Sequence, residues 1–163
     1  MTVDMRSFLQ QIKKTNDLFT VKKGVSTKYE IAAVTEKLDE SKAALFENVK
    51  GSKFKLVSNL VGSRDRFAQA IGSKKSDINQ KIVKAISSAK KPRISSTAKF
   101  FENNSKDISI LPIVTHFQNE SGPFITSSIL YTRNQEKKSQ NSSFHRLMPV
   151  SYTHLTLPTI LLV

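Results

Sequence analysis

The sequence contains no cysteine, which excludes a disulfide framework, thiolate metal sites and cysteine nucleophiles. It has no apolar run near the ~20 residues that cross a bilayer. The opening stretch, Met1 to Lys14, lacks a continuous apolar core and does not read as a secretory signal. Gly-rich and metalloprotease signatures are missing too: there is no GxGxxG, Walker loop, HExxH or GxSxG. A soluble, cytoplasmic protein is the expectation. Acidic residues are scarce, with 13 Asp and Glu against 26 Lys and Arg, a net charge of +13.

A charge of that size raises nucleic acid as a partner, because clustered cations neutralise phosphates and release counterions. The distribution argues otherwise. The basic residues are scattered as short pairs such as Lys13-Lys14, Lys74-Lys75 and Lys137-Lys138. Lysine, the ordinary solvated surface cation, dominates over arginine. A lysine-rich surface is the favoured reading, with a stand-alone basic nucleic-acid-binding module as the alternative. Hydrophobic residues make up 38% of the chain, ten of them Phe, enough for a packed core.

Apolar periodicity predicts an amphipathic helix from Arg6 to Thr15 carrying Phe8, Leu9 and Ile12, then a short strand from Leu18 to Val21. Thr27 and Glu30 have the spacing of a capping box for a helix to about Leu38, with Tyr29, Ala33 and Val34 facing inward. Ala43 to Val49 and Phe54 to Val61 read as strands around the turn Lys50-Gly51-Ser52-Lys53. Ser63 suits the cap of a helix to Ile71, and Ser76 or Asp77 that of another to Ile86. Ser87 to Lys99 reads as a connector. Strand character returns over 108–114, Phe124 to Tyr131 and Ser142 to Met148, with a polar loop from Asn134 to Gln140. The order is α-β-α-β-β-α-α, a linker, then strands: an α+β or α/β domain followed by the opening of a β-rich one, an α+β chain taken whole.

His116, His145 and His154 are too scattered for a three-histidine metal site, and Glu30, Glu36 and Glu47 need no more than solvated or capping roles. Several segments nevertheless resemble one family. Leu45-Phe46-Glu47-Asn48-Val49-Lys50-Gly51 is followed eight residues on by Asn59-Leu60-Val61-Gly62-Ser63-Arg64. Met5-Arg6-Ser7-Phe8-Leu9 and Tyr29-Glu30-Ile31-Ala32-Ala33 lie upstream. Downstream come Leu111 to His116, Gly122 to Ser127, and Asn141-Ser142-Ser143-Phe144-His145-Arg146-Leu147-Met148. In this order and at these intervals they resemble the UbiD-family decarboxylases over roughly residues 5 to 148.

The resemblance implies an N-terminal α/β domain over residues 1–105. It places the first strands of an incomplete, FMN-binding split β-barrel at 106–149. It also implies prenylated FMN with Mn²⁺ and K⁺, a flavin prenyltransferase that supplies the cofactor, and a homo-oligomer for the full-length protein. The substrate would be an unsaturated or aromatic acid, either anhydromevalonate phosphate or a phenolic acid. Asn141 is placed at the metal and cofactor phosphate, the main chain of Phe144, His145 and Arg146 at the flavin, and Arg146 at the substrate. An Asn oxygen suits a hard divalent cation, and a spacing of five along a strand sends the two side chains to opposite faces. Family members carry the catalytic carboxylates and remaining metal ligands further along, so the 163-residue chain is expected to be an inactive fragment. Residues 150–163 resemble the translation of a sequencing adapter and are expected to be a non-native tail.

Overall fold

A computed structural model describes residues 4–39, 41–90, 102, 104–134, 136, 139–151 and 154–156. The chain forms two compact units: the first is Met1–Lys22, Thr35–Glu47 and Leu56–Asn104, the second Lys23–Val34, Asn48–Lys55 and Ser105–Val163.

The first unit begins with α1 (Met5–Lys14), where the Asp4 carboxylate accepts from the Ser7 amide and the Ser7 hydroxyl accepts from the Asp4 amide. This reciprocal cap holds the Asp4 carboxyl below its usual range, the Ser7 amide being the main cause. Phe8 and Ile12 form the buried stripe of α1. They pack with Leu18 of β1 (Leu18–Val21) and Ala43 of β2 (Ala43–Phe46), flanked by Leu9, Leu45, Leu60 and Ala70. β1 pairs parallel with β2, and β2 pairs antiparallel with β3 (Leu56–Ser58), matching Ala44 to Ser58. Small alanines at positions 43 and 44 have no exposure, so the centre of the sheet accepts helix side chains closely. Ser63 caps α3 (Arg64–Ala70), its hydroxyl accepting from the Arg66 amide at 3.2 Å. After a 3-10 turn at Lys75–Asp77 comes α4 (Ile78–Ser87), anchored by buried Ile78.

An arginine clamps this unit. Arg66 is 2% exposed, with Nη1 donating to the Ser41 carbonyl at 2.9 Å and Nη2 to the Asn59 carbonyl at 3.4 Å. Asn59 sits in the left-handed region, φ 54°, which its short polar side chain tolerates better than most. Its Nδ2 donates to the carbonyls of Lys42 and Leu38, at 3.0 and 3.4 Å. A Cβ at Gly62 would lie 1.6 Å from Asn59 Oδ1. The Asn-Leu-Val-Gly-Ser segment therefore satisfies the loop before β2 and makes space for the residue that does so.

In the second unit, Val25 bridges Val49 and Lys28 bridges Thr115, both in parallel sense, and Val114 bridges Phe124. A long ribbon follows: β4 (Ile125–Arg133) pairs antiparallel with β5 (Gln140–Pro149), from Arg133 opposite Gln140 to Ile125 opposite Leu147. β4 carries an irregularity between Ile125 and Ser128. A two-residue β6 (Leu155–Thr156) meets β5 at Met148 and Pro149. Val25, Ile31, Val49, Val114, Phe124 and Leu147 are its buried apolar residues.

Several local expectations are corrected. α2 runs over Glu30–Lys37 rather than from Thr27, because Tyr29 has φ 69° and cannot continue a helix. The capping box is absent: the Glu30 carboxylate accepts from the Ser26 amide at 2.6 Å, and the Glu30 amide donates to the Lys28 carbonyl. Ile31 is the buried residue of α2, whereas Ala33 is exposed. Residues 108–114 are not a strand. The Leu111 amide closes a turn on the Ile108 carbonyl, the Ser109 amide is drawn to Asp107, and Pro112 has no amide to give a ladder. β3 is shorter than the apolar run 54–61, since Phe54 and Val61 are exposed. Asp77 is the N-cap residue of α4 without a side-chain bond to it. The greater part of the expected connector lies outside the described residues.

Candidate functional site

All four expected site residues lie on β5. Alternation along the strand puts Asn141 and His145 in one row of side chains, with buried Leu147, and Phe144 and Arg146 in the other. Asn141 is exposed, opposite Thr132 near the hairpin end. Phe144 is 81% exposed and faces Ile129 across the ribbon. His145 is half-buried, and its Nε2 lies 2.9 Å from the Ser143 hydroxyl. The His145 carbonyl accepts from the Ser128 hydroxyl, a contact at the irregularity in β4.

Arg146 is exposed and lies against an aromatic ring. Its guanidinium carbon lies 4.4 Å from the centroid of the Phe124 ring. Phe124 is buried and donates its amide to the Val114 carbonyl at 2.9 Å, so the ring is a fixed platform. A guanidinium on an aromatic face is held in plane while its edge donors stay free. Among the described residues no carboxylate lies within ion-pair distance of it. The ring thus fixes where the positive charge sits, and a planar guanidinium can take a carboxylate through its edge.

The main chain adds a second property. β4 occupies one edge of β5, and on the other edge β6 reaches only Met148 and Pro149. From Gln140 to Leu147 that edge has no strand beside it among the described residues, leaving peptide donors and acceptors available to a planar polar group. Asn141 offers a hard oxygen donor of the kind Mg²⁺ and Mn²⁺ accept. No group of three His, Asp, Glu or Cys among the described residues could hold a metal ion. Phe124 and Ser128 are site-building residues to which sequence reasoning attached no role. The Gly122-Pro123-Phe124 segment was visible, but a ring 22 residues from its cation leaves no local signal.

Two family models match the chain: the 3-octaprenyl-4-hydroxybenzoate carboxy-lyase N-terminal domain over residues 9–86 and the Rift-related domain of the same enzyme over residues 88–160. The chain belongs to the UbiD family. The second match passes through the stretch from 150 that reads as a tail. Anhydromevalonate phosphate decarboxylase of Methanothermobacter thermautotrophicus is 26% identical over 155 residues, 94% of this chain and 36% of the relative. The enzyme of that name from Methanosarcina mazei is 32% identical over 148 residues, 89% of this chain and 33% of the relative. The chain therefore spans about a third of the length of these curated relatives.

Among solved structures, the UbiD-class enzyme HmfF of Pelotomaculum thermopropionicum in complex with FMN superposes with a TM-score of 0.88. It is 29% identical, and the match covers 96% of this chain and 36% of that one. Its evolved dimeric form in complex with prFMN gives 0.84 at 28% identity, covering 96% and 38%. Among the described residues no helix of this UbiD-family chain is long and apolar enough to cross a membrane.

Proposed function

We propose that the full-length protein is a UbiD-type carboxy-lyase that decarboxylates an unsaturated or aromatic acid with prenylated FMN and a divalent metal. The relatives named for anhydromevalonate phosphate favour a small unsaturated acid. One observation carries the reading: Arg146 is stacked on the buried Phe124 ring, beside the open edge of β5. Arg146 binds the substrate carboxylate through its planar fork and orients it. The main chain from Phe144 to Arg146 would hold the flavin, and Asn141 would offer an oxygen to the divalent metal. The prenylated flavin supplies the electron sink for loss of carbon dioxide.

Residues 1–105 serve as the α/β domain, and 106–149 as the first strands of the flavin-binding barrel. The 163-residue chain spans about a third of its curated relatives and is inactive by itself. A flavin prenyltransferase supplies the cofactor, and the full-length protein is a homo-oligomer.

The test separates the two side chains in full-length protein. Arg146→Lys keeps the charge but not the fork, and should lose about 100-fold or more in turnover with normal flavin content. Asn141→Ala should instead lose bound metal and flavin, removing a ligand and not a substrate contact. Near-normal turnover in the first variant, or normal loading in the second, contradicts these roles.

A further inference from the structure

In the first unit, α4 has one buried residue, Ile78. The apolar residues that follow on it, Ile82, Val83 and Ile86, are 39%, 65% and 74% exposed. We propose that α4 is a membrane-surface contact, lying in the headgroup layer of an anionic lipid bilayer with Val83 and Ile86 in the acyl boundary. The proposal is independent of the decarboxylase reading and concerns the first unit alone.

Three observations carry it. The first is amphipathic order. At about 100° per residue, Ile82, Val83 and Ile86 fall on one side of the helix and Gln80, Lys84 and Ser87 on the other. The second is stability. α4 has ten residues, its N-cap residue Asp77 makes no side-chain bond to it, and its first turn holds no acid. A helix shorter than about 12 residues is marginal in water unless an apolar face is packed. An acyl boundary supplies that packing for Ile82, Val83 and Ile86.

The third observation is charge, which also decides what covers the helix. Residues 74–93 hold seven Lys and Arg and one acid, Asp77. The pairs Lys74-Lys75 and Lys90-Lys91 flank α4 in the sequence, and Lys74, Lys81, Lys84 and Lys90 are exposed. An apolar side within a cationic stretch fits a partner that is both anionic and apolar. A second copy of this chain would bring like charges together. Nucleic acid offers phosphates but no apolar layer for Val83 and Ile86. An acidic peptide laid on the apolar side would leave Lys84 on the far side of the helix. A headgroup layer surrounds the helix, so the lysine stems reach its phosphates from either flank.

The 163-residue chain is sedimented with vesicles of about one-third phosphatidylglycerol in phosphatidylcholine, and separately with phosphatidylcholine alone, both at physiological salt. It should bind the anionic vesicles at least about tenfold more strongly than the neutral ones. Ile86→Ser should weaken that binding about tenfold, with Ile86→Leu binding as the parent chain does. Lys84→Gln should weaken it about fivefold. Ile129→Ser, the same change at an exposed position of β4, should leave it unaltered. Every variant keeps residues 150–163, so that stretch contributes alike to all. Equal binding to both vesicle types, an unaltered Ile86→Ser, or an equal loss in Ile129→Ser would overturn the proposal. A loss in Lys84→Gln with none in Ile86→Ser would also overturn it, assigning the helix to a soluble polyanion. Binding by the 163-residue chain that full-length protein lacks would do the same, because the rest of the chain would then cover α4.

Discussion

The sheet core of the first unit and the β4–β5 ribbon of the second treat their large apolar side chains differently. In the first, Ile12 and Phe46 have no exposure and Phe8 has 3%. In the second, Ile129 and Tyr131 are each 61% exposed and Phe144 is more so, on the paired strands β4 and β5. A core of the first kind stabilises a fold by removing area from water. A two-stranded ribbon has little core of its own, and its exposed residues are free to meet a ligand or another surface. The sheet core of the first unit is closed to solvent, and the ribbon face of the second is reachable.

The largest expected effect tests that division directly. Phe46→Ala should destabilise the chain by about 3–5 kcal/mol, transfer and cavity terms together. Phe144→Ala, losing an equal volume from an exposed position, should stay within about 0.5 kcal/mol. Urea unfolding of both variants checks this, and equal losses would mean that the ribbon face is buried in solution.

Next in size is the buried clamp. Arg66→Ala strips the Ser41 and Asn59 carbonyls of their donors and should cost about 2–4 kcal/mol, with Arg66→Lys recovering less than half because one ammonium does not span both. Thermal unfolding measures it. A loss below about 0.5 kcal/mol would show that water satisfies those carbonyls equally well.

Much of this architecture was legible in the sequence, for local reasons. Phe8 and Ile12 repeat at helical spacing, Leu18 to Val21 is a compact apolar run, and Ser63 stands just before its helix, so α1, β1 and α3 follow from neighbours a few residues apart. The failures are non-local or depend on a single dihedral. Nothing in Thr27-Lys28-Tyr29-Glu30 reports that Tyr29 takes φ 69°, so the helix was expected too early. Ile108 to Val114 has strand-forming residues, yet Asp107 and Pro112 turn it into a loop. Arg66 looks like any solvated helix arginine until the loop it fills is known. At the site, the family pattern pointed to Asn141 and Arg146 in one strand, while the Phe124 platform comes from a segment 22 residues away in the chain.

The smallest effect concerns Glu30. The Ser26 amide first, then Lys50, favours its ionised form, so its folded pKa lies below the reference value of 4.5. A carboxyl of this kind contributes stability that is fully present above its unfolded pKa and lost as pH falls through the lower folded value. Glu30→Gln should therefore narrow its stability gap to the parent chain as pH falls below about 4.5. A gap that stays constant between pH 7 and pH 3 would mean the carboxylate contributes through shape and not through charge.

The central claim is that β5 is the strand on which the cofactor rests. A crystal structure of the full-length protein loaded with prenylated FMN tests it most directly. The flavin should lie along the open edge of β5 within hydrogen-bonding distance of main-chain atoms of Phe144 to Arg146, with Asn141 at the metal and Arg146 still stacked on Phe124. A flavin bound away from residues 140–147, or Arg146 turned away from the flavin, would contradict the account.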